Sequence, residues 1–300
     1  MLYVMTRRQM LALASSLPAM SPSMMAQSAK FRISLAEWSL HKSIRSRMMT
    51  NLDFPQVTRE QFGIRGIEFV NTLWEAPTQY YLGRLKAQMK KFDVTGVLIM
   101  CDGEGSMGHT EQKERLKSAD LHRKWVDYAA ELGCRAIRMN MYAEEEAKTP
   151  AEIDEFLKRC QESFTRITQY AASNGIDICI ENHGGLSSNP DILVRLMKMV
   201  NLPNFGTLPD FGNFPKGVDK HQAVAKLMPY AKGVSFKCFD FGPDGKETTI
   251  DMDKMMQIVA ASGYGQPETS NWVGIEYEGE RMTEFMGIQG AKRFLDRYAA

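Results

Sequence analysis

Three acidic residues of this sequence each come directly after a short apolar run: Glu181, Asp210 and Glu276. A carboxylate beside an apolar strand is costly unless it is paired, hydrogen-bonded or bound to a metal. Several carboxylates that converge on one place therefore indicate a cation site or acid–base chemistry. We interpret these three residues as functional. The preceding apolar runs are 176–180, 205–209 and 272–275.

Two further residues of the same segments could take part in that chemistry. His183 lies two residues beyond Glu181, so both side chains face the same way if the strand continues. His183 could bind a metal, carry a proton or hydrogen-bond to a metal ligand. Alternatively, it could simply pack in the loop. Lys237 stands in the apolar run 233–238, where an ammonium group is costly unless it meets acids. A lysine that reaches solvent is the alternative, but we favour a catalytic role for Lys237 at the acidic site.

Other polar residues near the ends of predicted strands are candidates for binding a substrate. Trp38 could stack on a sugar ring or pack at the rim, and Glu68 could instead lie in a surface loop or a salt bridge. His122 and His221 fall on predicted helices and are interpreted as surface residues. The predicted substrate-binding residues are Trp38, His41, Glu68, Arg138, Asn140 and Asn213.

The elements that must position these residues alternate along the chain. Short β-rich apolar runs are followed by longer segments of helical periodicity, which predicts βα units and a parallel sheet. Eight such runs with no dividing linker predict one α/β domain, a single (β/α)8 TIM barrel, in which active sites lie where strands end and βα loops begin. The predicted strands are 31–35, 66–70, 94–100, 136–140, 176–181, 205–210, 233–238 and 272–277. The predicted helices are 80–92, 111–132, 150–174, 189–200, 220–229, 251–261 and 283–298.

The first residues resemble an export signal rather than part of the fold. Arg7-Arg8 precede the apolar stretch 10–20 and a small-residue segment that ends at Ala26. The apolar stretch is shorter than the roughly 20 residues of a membrane span, so we expect no membrane insertion. The arginine pair is typical of twin-arginine signals. We therefore expect a signal at 1–26, the barrel at 27–300 and a periplasmic protein, with an amphipathic helix as the alternative.

Composition excludes several classes of protein. The chain has 37 Lys and Arg against 36 Asp and Glu, a formal charge of +1, so a strongly basic nucleic-acid-binding protein is not expected. Hydrophobic residues make up 44% of the chain, which is enough for a large core. The five cysteines are widely spaced among apolar residues, so we expect buried thiols rather than disulfides or a zinc cluster.

Three motifs together resemble the xylose-isomerase-like superfamily of sugar isomerases and epimerases. They are Glu-Asn-His-Gly-Gly at 181–185, Leu-Pro-Asp-Phe-Gly-Asn at 208–213 and Gly-Ile-Glu-Tyr-Glu-Gly at 274–279. The resemblance implies a divalent cation (manganese, magnesium, cobalt or zinc) bound by Glu181, Asp210 and Glu276. It also implies that Glu181 and Glu276 flank the substrate and exchange its proton. Barrels of this kind often pair, so a homodimer is a further expectation.

The sequence departs from that superfamily on the seventh strand. Where the superfamily often has His-x-Lys, this chain has Ser235-Phe236-Lys237. Either His183 or water completes the metal site, or Lys237 supplies positive charge and the metal is weak or absent. The related DNA endonuclease branch needs many histidines, and the five of this chain are scattered. We therefore expect a small-molecule sugar or glycoside as the partner and no nucleic acid.

These residues predict proton abstraction from carbon beside a carbonyl, through an enediolate. Return of the proton makes the protein a sugar isomerase or epimerase, which is the function that we predict. If a leaving group departs instead, the protein is a carbon–oxygen lyase that eliminates the aglycone from 3-keto-glycosides. A third alternative is a sugar-binding barrel without catalysis.

Overall fold

The computed structural model describes residues 31–143, 147–266 and 270–299, in which eight strands alternate with helices. The predicted signal at 1–26 lies outside these residues. The strands are β1 (Arg32–Ala36), β2 (Gly66–Val70), β3 (Thr95–Met100), β4 (Ala136–Met139), β5 (Asp177–Glu181), β6 (Phe205–Leu208), β7 (Val234–Cys238) and β8 (Trp272–Tyr277). Each predicted strand is present, although β6 ends two residues before Asp210.

All strand pairs in the sheet are parallel, as βα units require. The order is β6-β5-β4-β3-β2-β1-β8-β7, so chain neighbours are also sheet neighbours. Isolated bridges, Thr207 with Ala231 and Asp210 with Ser235, join the two edge strands. The backbone N–H of Ser235 donates to the carbonyl of Pro209 across 3.0 Å in the same region. The predicted (β/α)8 barrel is therefore confirmed, and its β6–β7 seam is closed by bridges rather than by a continuous ladder.

Helices lie between the strands, and the longest shows why they form. Helix α6 (Pro150–Ser173) begins with a capping box between Thr149 and Glu152, which satisfies backbone groups at its N-terminus. It buries one apolar stripe against the sheet. The other helices are α1 (His41–Arg45), α2 (Phe54–Phe62), α3 (Gln79–Phe92), α4 (Gln112–Leu121), α5 (Arg123–Leu132), α7 (Pro190–Val200), α8 (Lys220–Leu227), α9 (Met252–Ala261) and α10 (Glu284–Leu295).

The helices differ from the prediction in several places, and one of them is the short helix α1, which was not predicted. The predicted helix 111–132 is two helices, which meet at His122. His122 is buried and its Nδ1 lies 2.8 Å from the carbonyl oxygen of Ser118, so its interpretation as a surface residue was wrong. The predicted helix 220–229 ends at Leu227, and a short 3₁₀ turn follows over Met228–Tyr230. Helix α2 was not predicted.

The apolar core has two parts. A large cluster lies between the sheet and the helices, and a smaller one includes Ala36, Val70, Met100 and Leu208. All five cysteines are buried free thiols, as predicted. Within residues 31–143, 147–266 and 270–299, no helix is both long and apolar enough to cross a membrane.

Candidate active site

The ends of three strands bring Glu181, Asp210 and Glu276 together. Glu181 is the last residue of β5, Asp210 follows β6 by two residues, and Glu276 is the penultimate residue of β8. All three side chains are buried. One carboxylate oxygen of each lies within 4.8 Å of the corresponding oxygens of the other two. We call these three residues the carboxylate triad.

Two side chains of β7 contact the triad. The Ser235 hydroxyl oxygen lies 3.0 Å from Asp210 Oδ2 and 2.7 Å from Glu276 Oε2. Lys237 is in register with Glu276 across the β7–β8 pair, and its Nζ lies 3.4 Å from Glu276 Oε1 and 3.6 Å from Asp210 Oδ2. The Lys237 ammonium also lies 3.4 Å from Glu278 Oε1. Strand pairing thus places this buried cation among three acids instead of at the surface.

A second cation, Arg138 of β4, contacts the other side of the triad. Its Nε lies 2.9 Å from Glu181 Oε2, and its Nη1 donates to Asp102 Oδ1 across 2.7 Å. The Nε–Oε2 contact is an ion pair without hydrogen-bond geometry, and no group of the described residues donates a hydrogen bond to Glu181 Oε2. Asn213 donates to Glu181 Oε1 across 3.2 Å and accepts from Lys237 Nζ across 3.1 Å.

Two asparagines fix the loop backbone beside these groups in the same way. Asn182 donates to the carbonyl of Asp210 across 3.0 Å and accepts from its backbone N–H across 2.8 Å. Asn71 makes the equivalent pair of bonds to Asp102, of 2.8 and 2.9 Å. Each pair ties one strand end to the next. The positions of Asp210 and Asp102 are therefore set by backbone hydrogen bonds and not by side-chain packing alone.

A cavity of about 310 Å³ opens at these strand ends. That volume is at the small end of the range for ligand pockets and suits a monosaccharide. Its walls combine polar side chains with at least as much apolar surface, to which Val70 and Met100 contribute. The lining residues are Trp38, Val70, Met100, Asp102, Gly103, Arg138, Asn140, Tyr142, His183, Glu276 and Glu278.

Four of the six predicted substrate-binding residues lie at this cavity or beside the triad. Trp38, Arg138 and Asn140 line the cavity, whereas Asn213 contacts Glu181 and Lys237. Trp38 also donates its indole N–H to Glu278.

The remaining two lie elsewhere. His41 stacks on Trp38, with ring centroids 4.7 Å apart, and so supports a lining residue rather than lining the cavity itself. Glu68 is buried in the barrel and accepts from the Ser34 hydroxyl across 2.6 Å. A Cβ at Gly274 would lie 2.3 Å from Glu68 Oε1, so the glycine leaves the room that this carboxyl group occupies.

His183, predicted as catalytic, also lines the cavity, and its neighbour is Tyr142. The Tyr142 hydroxyl oxygen lies 2.8 Å from His183 Nδ1. Burial lowers the pKa of His183, and the charges of Arg138 and Lys237 lower it further. His183 does not belong to the group of close ligand atoms formed by the triad among the described residues.

The acids of the site differ in protonation because their neighbours differ. Burial raises the pKa of Glu181 and of Asp210, since the charges of Arg138 and Lys237 only partly offset the loss of water. Burial acts on Glu276 too, but the Lys237 ammonium and the Ser235 hydroxyl lower its pKa below the usual value. Glu276 is therefore the triad member that is most readily ionised.

The donor set of the triad fits a divalent cation. Magnesium, manganese and zinc accept carboxylate oxygens, and metal–oxygen bonds of about 2.0–2.2 Å place such oxygens at most about 4 Å apart, so an ion would draw them slightly closer than the 4.8 Å within which they lie here. Glu181 Oε2 is buried and ion-paired with Arg138 but accepts no hydrogen bond within the described parts of the chain, so it keeps a lone pair that an ion would use. Two cations, Arg138 and Lys237, also leave the triad with excess negative charge, which agrees with the raised pKa values of Glu181 and Asp210.

Tyr142 lines the cavity, although nothing in its sequence context indicates a functional residue. It follows β4 by three residues in a loop without a motif, and a lone loop tyrosine is not distinctive. The sequence places three other polar residues of the site at or near strand ends: Ser235, Asp102 and Glu278. Their contacts, however, depend on the register of the strands. The register became known only from the fold.

Comparisons with known proteins agree with this architecture. A sequence profile described as xylose isomerase-like TIM barrel matches residues 59–298. A comparison with curated protein sequences finds no match. Among solved structures, 3-keto-D-glucoside 4-epimerase from E. coli is similar with a TM-score of 0.69 and 15% identity, over 89% of this chain and 99% of that one.

Two further solved structures have the same fold. L-ribulose 3-epimerase has a TM-score of 0.69 and 14% identity, over 89% of this chain and 93% of that chain. The IolI protein, solved with a bound zinc atom, has a TM-score of 0.67 and 16% identity, over 89% and 98% of the two chains. At such identities these similarities establish the shared fold and no more.

Proposed function

The chain belongs to the xylose isomerase-like TIM barrel family, and on that premise we propose that it is a sugar isomerase or epimerase that acts through an enediolate. One observation carries the proposal. Two buried glutamates, Glu181 of β5 and Glu276 of β8, lie together in the carboxylate triad, and Glu276 lines a cavity that suits a monosaccharide. The epimerases among the structural neighbours support the same chemistry.

Glu276 is the residue that we assign as the base. It lines the cavity, and its lowered pKa keeps it ionised and able to accept a proton. We assign Glu181 to the return of the proton, since its raised pKa favours a form that can donate. Return to the same carbon from the other face gives the epimer, and return to the neighbouring carbon gives the isomer.

Cations supply the second part of the mechanism. Lys237, held within 3.6 Å of two triad acids, and Arg138 place positive charge where negative charge develops on the substrate oxygens. A divalent ion on Glu181, Asp210 and Glu276 would add Lewis-acid polarisation of the carbonyl. The two protein cations are already paired with acids, so their charge is fixed in place before the substrate arrives.

The substrate that we propose is a neutral sugar or glycoside. Five acids surround the site, and Arg138 and Lys237 are its two paired cations, so an anionic substrate would meet repulsion. The side chains of Asp102 and Glu278 are about 30% exposed at the cavity, and each has one carboxylate oxygen to which no described residue donates. Carboxylate oxygens of this kind accept hydrogen bonds from sugar hydroxyls.

Replacement of the two glutamates tests the proposal. We expect E181Q and E276Q each to lower kcat at least about 10²-fold on the responding sugar, the low end for general acid–base groups. Turnover is measured on free ketoses and 3-keto-glycosides. Glu280→Gln is the matched control, because Glu280 is exposed in the same loop after β8. Near-wild-type turnover in both active-site variants would overturn the assignment, and turnover by no form of the protein would favour a sugar-binding barrel.

Elimination of an aglycone from 3-keto-glycosides is a second candidate. The Tyr142–His183 pair favours it, because it places a further proton donor in the cavity beside Glu276. Removal of the proton beside the carbonyl would break the bond to the aglycone oxygen on the next carbon, and that oxygen would need a proton. Reaction in D₂O separates the two functions. Epimerisation or isomerisation returns an intact glycoside or ketose that carries deuterium, whereas elimination releases the free alcohol.

Export to the periplasm remains a proposal of its own. Arg7 and Arg8 support it, and we expect Arg7→Lys with Arg8→Lys to retain the protein inside the cell. N-terminal sequencing of the exported protein would locate the cleavage site predicted after Ala26.

A further inference from the structure

We propose that Tyr142 is a positioning residue that holds His183 as the Nε2–H tautomer, so that His183 donates a hydrogen bond to a substrate oxygen. The inference rests on the proposed function for the identity of that oxygen, which would be a carbonyl or enediolate oxygen. It concerns a pair that the carboxylate chemistry does not explain.

The geometry around Tyr142 determines which way its hydroxyl hydrogen points. The hydroxyl oxygen lies 2.8 Å from His183 Nδ1 and 3.5 Å from the backbone carbonyl oxygen of His183. A distance of 2.8 Å is near the optimum for a hydrogen bond, and 3.5 Å is beyond the usual range. The shorter contact therefore favours donation of the hydroxyl hydrogen to Nδ1. A neutral imidazole that accepts at Nδ1 carries its own hydrogen on Nε2.

The surroundings of the imidazole favour the same tautomer. His183 lines the cavity, and within the described parts of the chain no hydrogen bond is made to Nε2. Asp102, Glu276 and Glu278 line the same cavity, so the space is rich in acids. An N–H group that faces this negative region is more stable than a lone pair there. Nε2–H is thus a donor that is available to a ligand.

This donor would complement the two cations of the site. Arg138 and Lys237 are bound to acids by ion pairs, whereas His183 Nε2 forms no hydrogen bond with the described residues and can donate to the substrate. A neutral donor stabilises a developing oxyanion without moving a proton onto it. The Tyr142 hydroxyl acts only through His183 in this arrangement.

Nitrogen-15 NMR of the resting protein tests the tautomer directly. With histidine-labelled protein at a pH where the ring is neutral, we expect the His183 signals of an Nε2–H imidazole. Tyr142→Phe should convert them to those of a mixture of tautomers. Tyr128→Phe is the matched control, because the Tyr128 hydroxyl donates to the carbonyl of Pro77 across 2.8 Å and Tyr128 does not line the cavity.

Kinetics test the consequence for the substrate. We expect Y142F to lower kcat about 10-fold with little change in KM, a smaller loss than removal of an oxyanion donor itself. Since a glutamine amide nitrogen can stand in for Nε2–H and has no tautomers, His183→Gln should retain more activity than His183→Ala. Adding Y142F to H183Q should then cost little, which gives strong non-additivity in the double-mutant cycle.

The outcomes separate this inference from the proposed function. An Nδ1–H tautomer in the wild-type protein, or tautomer signals unchanged by Y142F, would overturn the inference even if the enzyme is active. A protein that turns over no sugar would contradict the proposed function. In that case the tautomer measurement still decides the role of Tyr142.

Discussion

Ser235 donates a hydrogen bond to Glu276 from the strand position at which the family resemblance led us to expect a metal-binding histidine. Their oxygens are 2.7 Å apart, and the same hydroxyl oxygen lies 3.0 Å from Asp210. The hydroxyl group has one hydrogen and donates it to one carboxylate, so the second contact is a hydrogen bond only if the other carboxyl group is protonated and donates to the Ser235 oxygen. Ser235 therefore links Asp210 and Glu276 through its hydroxyl group. A histidine at this position would instead offer an imidazole nitrogen to a metal ion.

Ser235→His should strengthen metal binding, because it adds an imidazole nitrogen beside the triad. We expect the dissociation constant for Zn²⁺ to fall at least about 10-fold, since imidazole suits zinc better than a fourth oxygen does. Calorimetric titration of the protein with Zn²⁺ or Mn²⁺ measures the change. Ser235→Ala is the control for loss of the hydroxyl, and thermal unfolding of both variants shows whether the larger side chain fits. Folded S235H with unchanged affinity would contradict a metal site at the triad.

Chelation of the purified protein tests the cofactor itself. If a divalent ion on the triad polarises the carbonyl, treatment with EDTA should abolish turnover, and one added cation species should restore it. Elemental analysis before and after treatment gives the metal content. Activity that persists in metal-free protein would assign the electrophilic role to the cations of the chain itself, Lys237 and Arg138.

The barrel could be predicted from the sequence because its signals are local. Each strand is a short apolar run, and each strand end carries a polar residue at a βα loop, so strand counting gave both the fold and the location of the triad. Glu181 and Glu276 could thus be assigned to one site from the sequence. Helix boundaries could not be predicted where the helical periodicity of the sequence continues across an interruption of the helix, as it does at His122.

The sequence could not show which polar residues share the cavity. Glu68 lies on a strand as Glu181 does, yet its side chain accepts from Ser34 inside the barrel and does not line the cavity. His41 falls in the right loop but stacks on Trp38. Such differences depend on the direction of each side chain and on strand register, which a one-dimensional pattern does not contain.

Loss of the Lys237 ammonium should move the pH dependence of catalysis. Lys237 lies 3.4 Å from Glu276 Oε1 and is the main charge that lowers the pKa of that acid. In Lys237→Met the pKa of Glu276 should rise, so the ionised base is lost at a higher pH. We expect the acidic limb of the kcat/KM profile to shift upward by at least about one pH unit. The profile is measured with a fixed metal concentration.

Lys246→Met is the matched control for Lys237→Met. Lys246 lies in the loop after β7 and is exposed, so its removal changes net charge equally without touching the triad. An acidic limb that moves by the same amount in both variants would show a general charge effect. Such a result would mean that Lys237 is not the specific cause of the low pKa of Glu276.

Glu68 should make the stability of the barrel fall as pH rises. Burial raises the pKa of Glu68 to about 8, and the nearby charge of Glu276 contributes, although the Ser34 hydrogen bond opposes the rise. The folded protein therefore holds a proton that the unfolded chain releases above its ordinary pKa of 4.5. Between these two values the unfolded state binds fewer protons, so the free energy of unfolding decreases with increasing pH. The contribution is complete below the lower value and is lost through the upper one.

Glu68→Gln isolates this effect, because the amide oxygen still accepts from Ser34 and the group no longer titrates. We expect urea unfolding of wild type and E68Q to differ least near pH 4.5 and to diverge progressively toward pH 8, with the variant more stable at the alkaline end. Glu60→Gln, at an exposed glutamate of α2, should follow the wild-type curve. Parallel curves for wild type and E68Q would mean that Glu68 is not protonated in the folded barrel. The unpartnered Oε2 of its carboxyl group would then have to be satisfied as an anion, which the apolar surroundings of the barrel interior oppose.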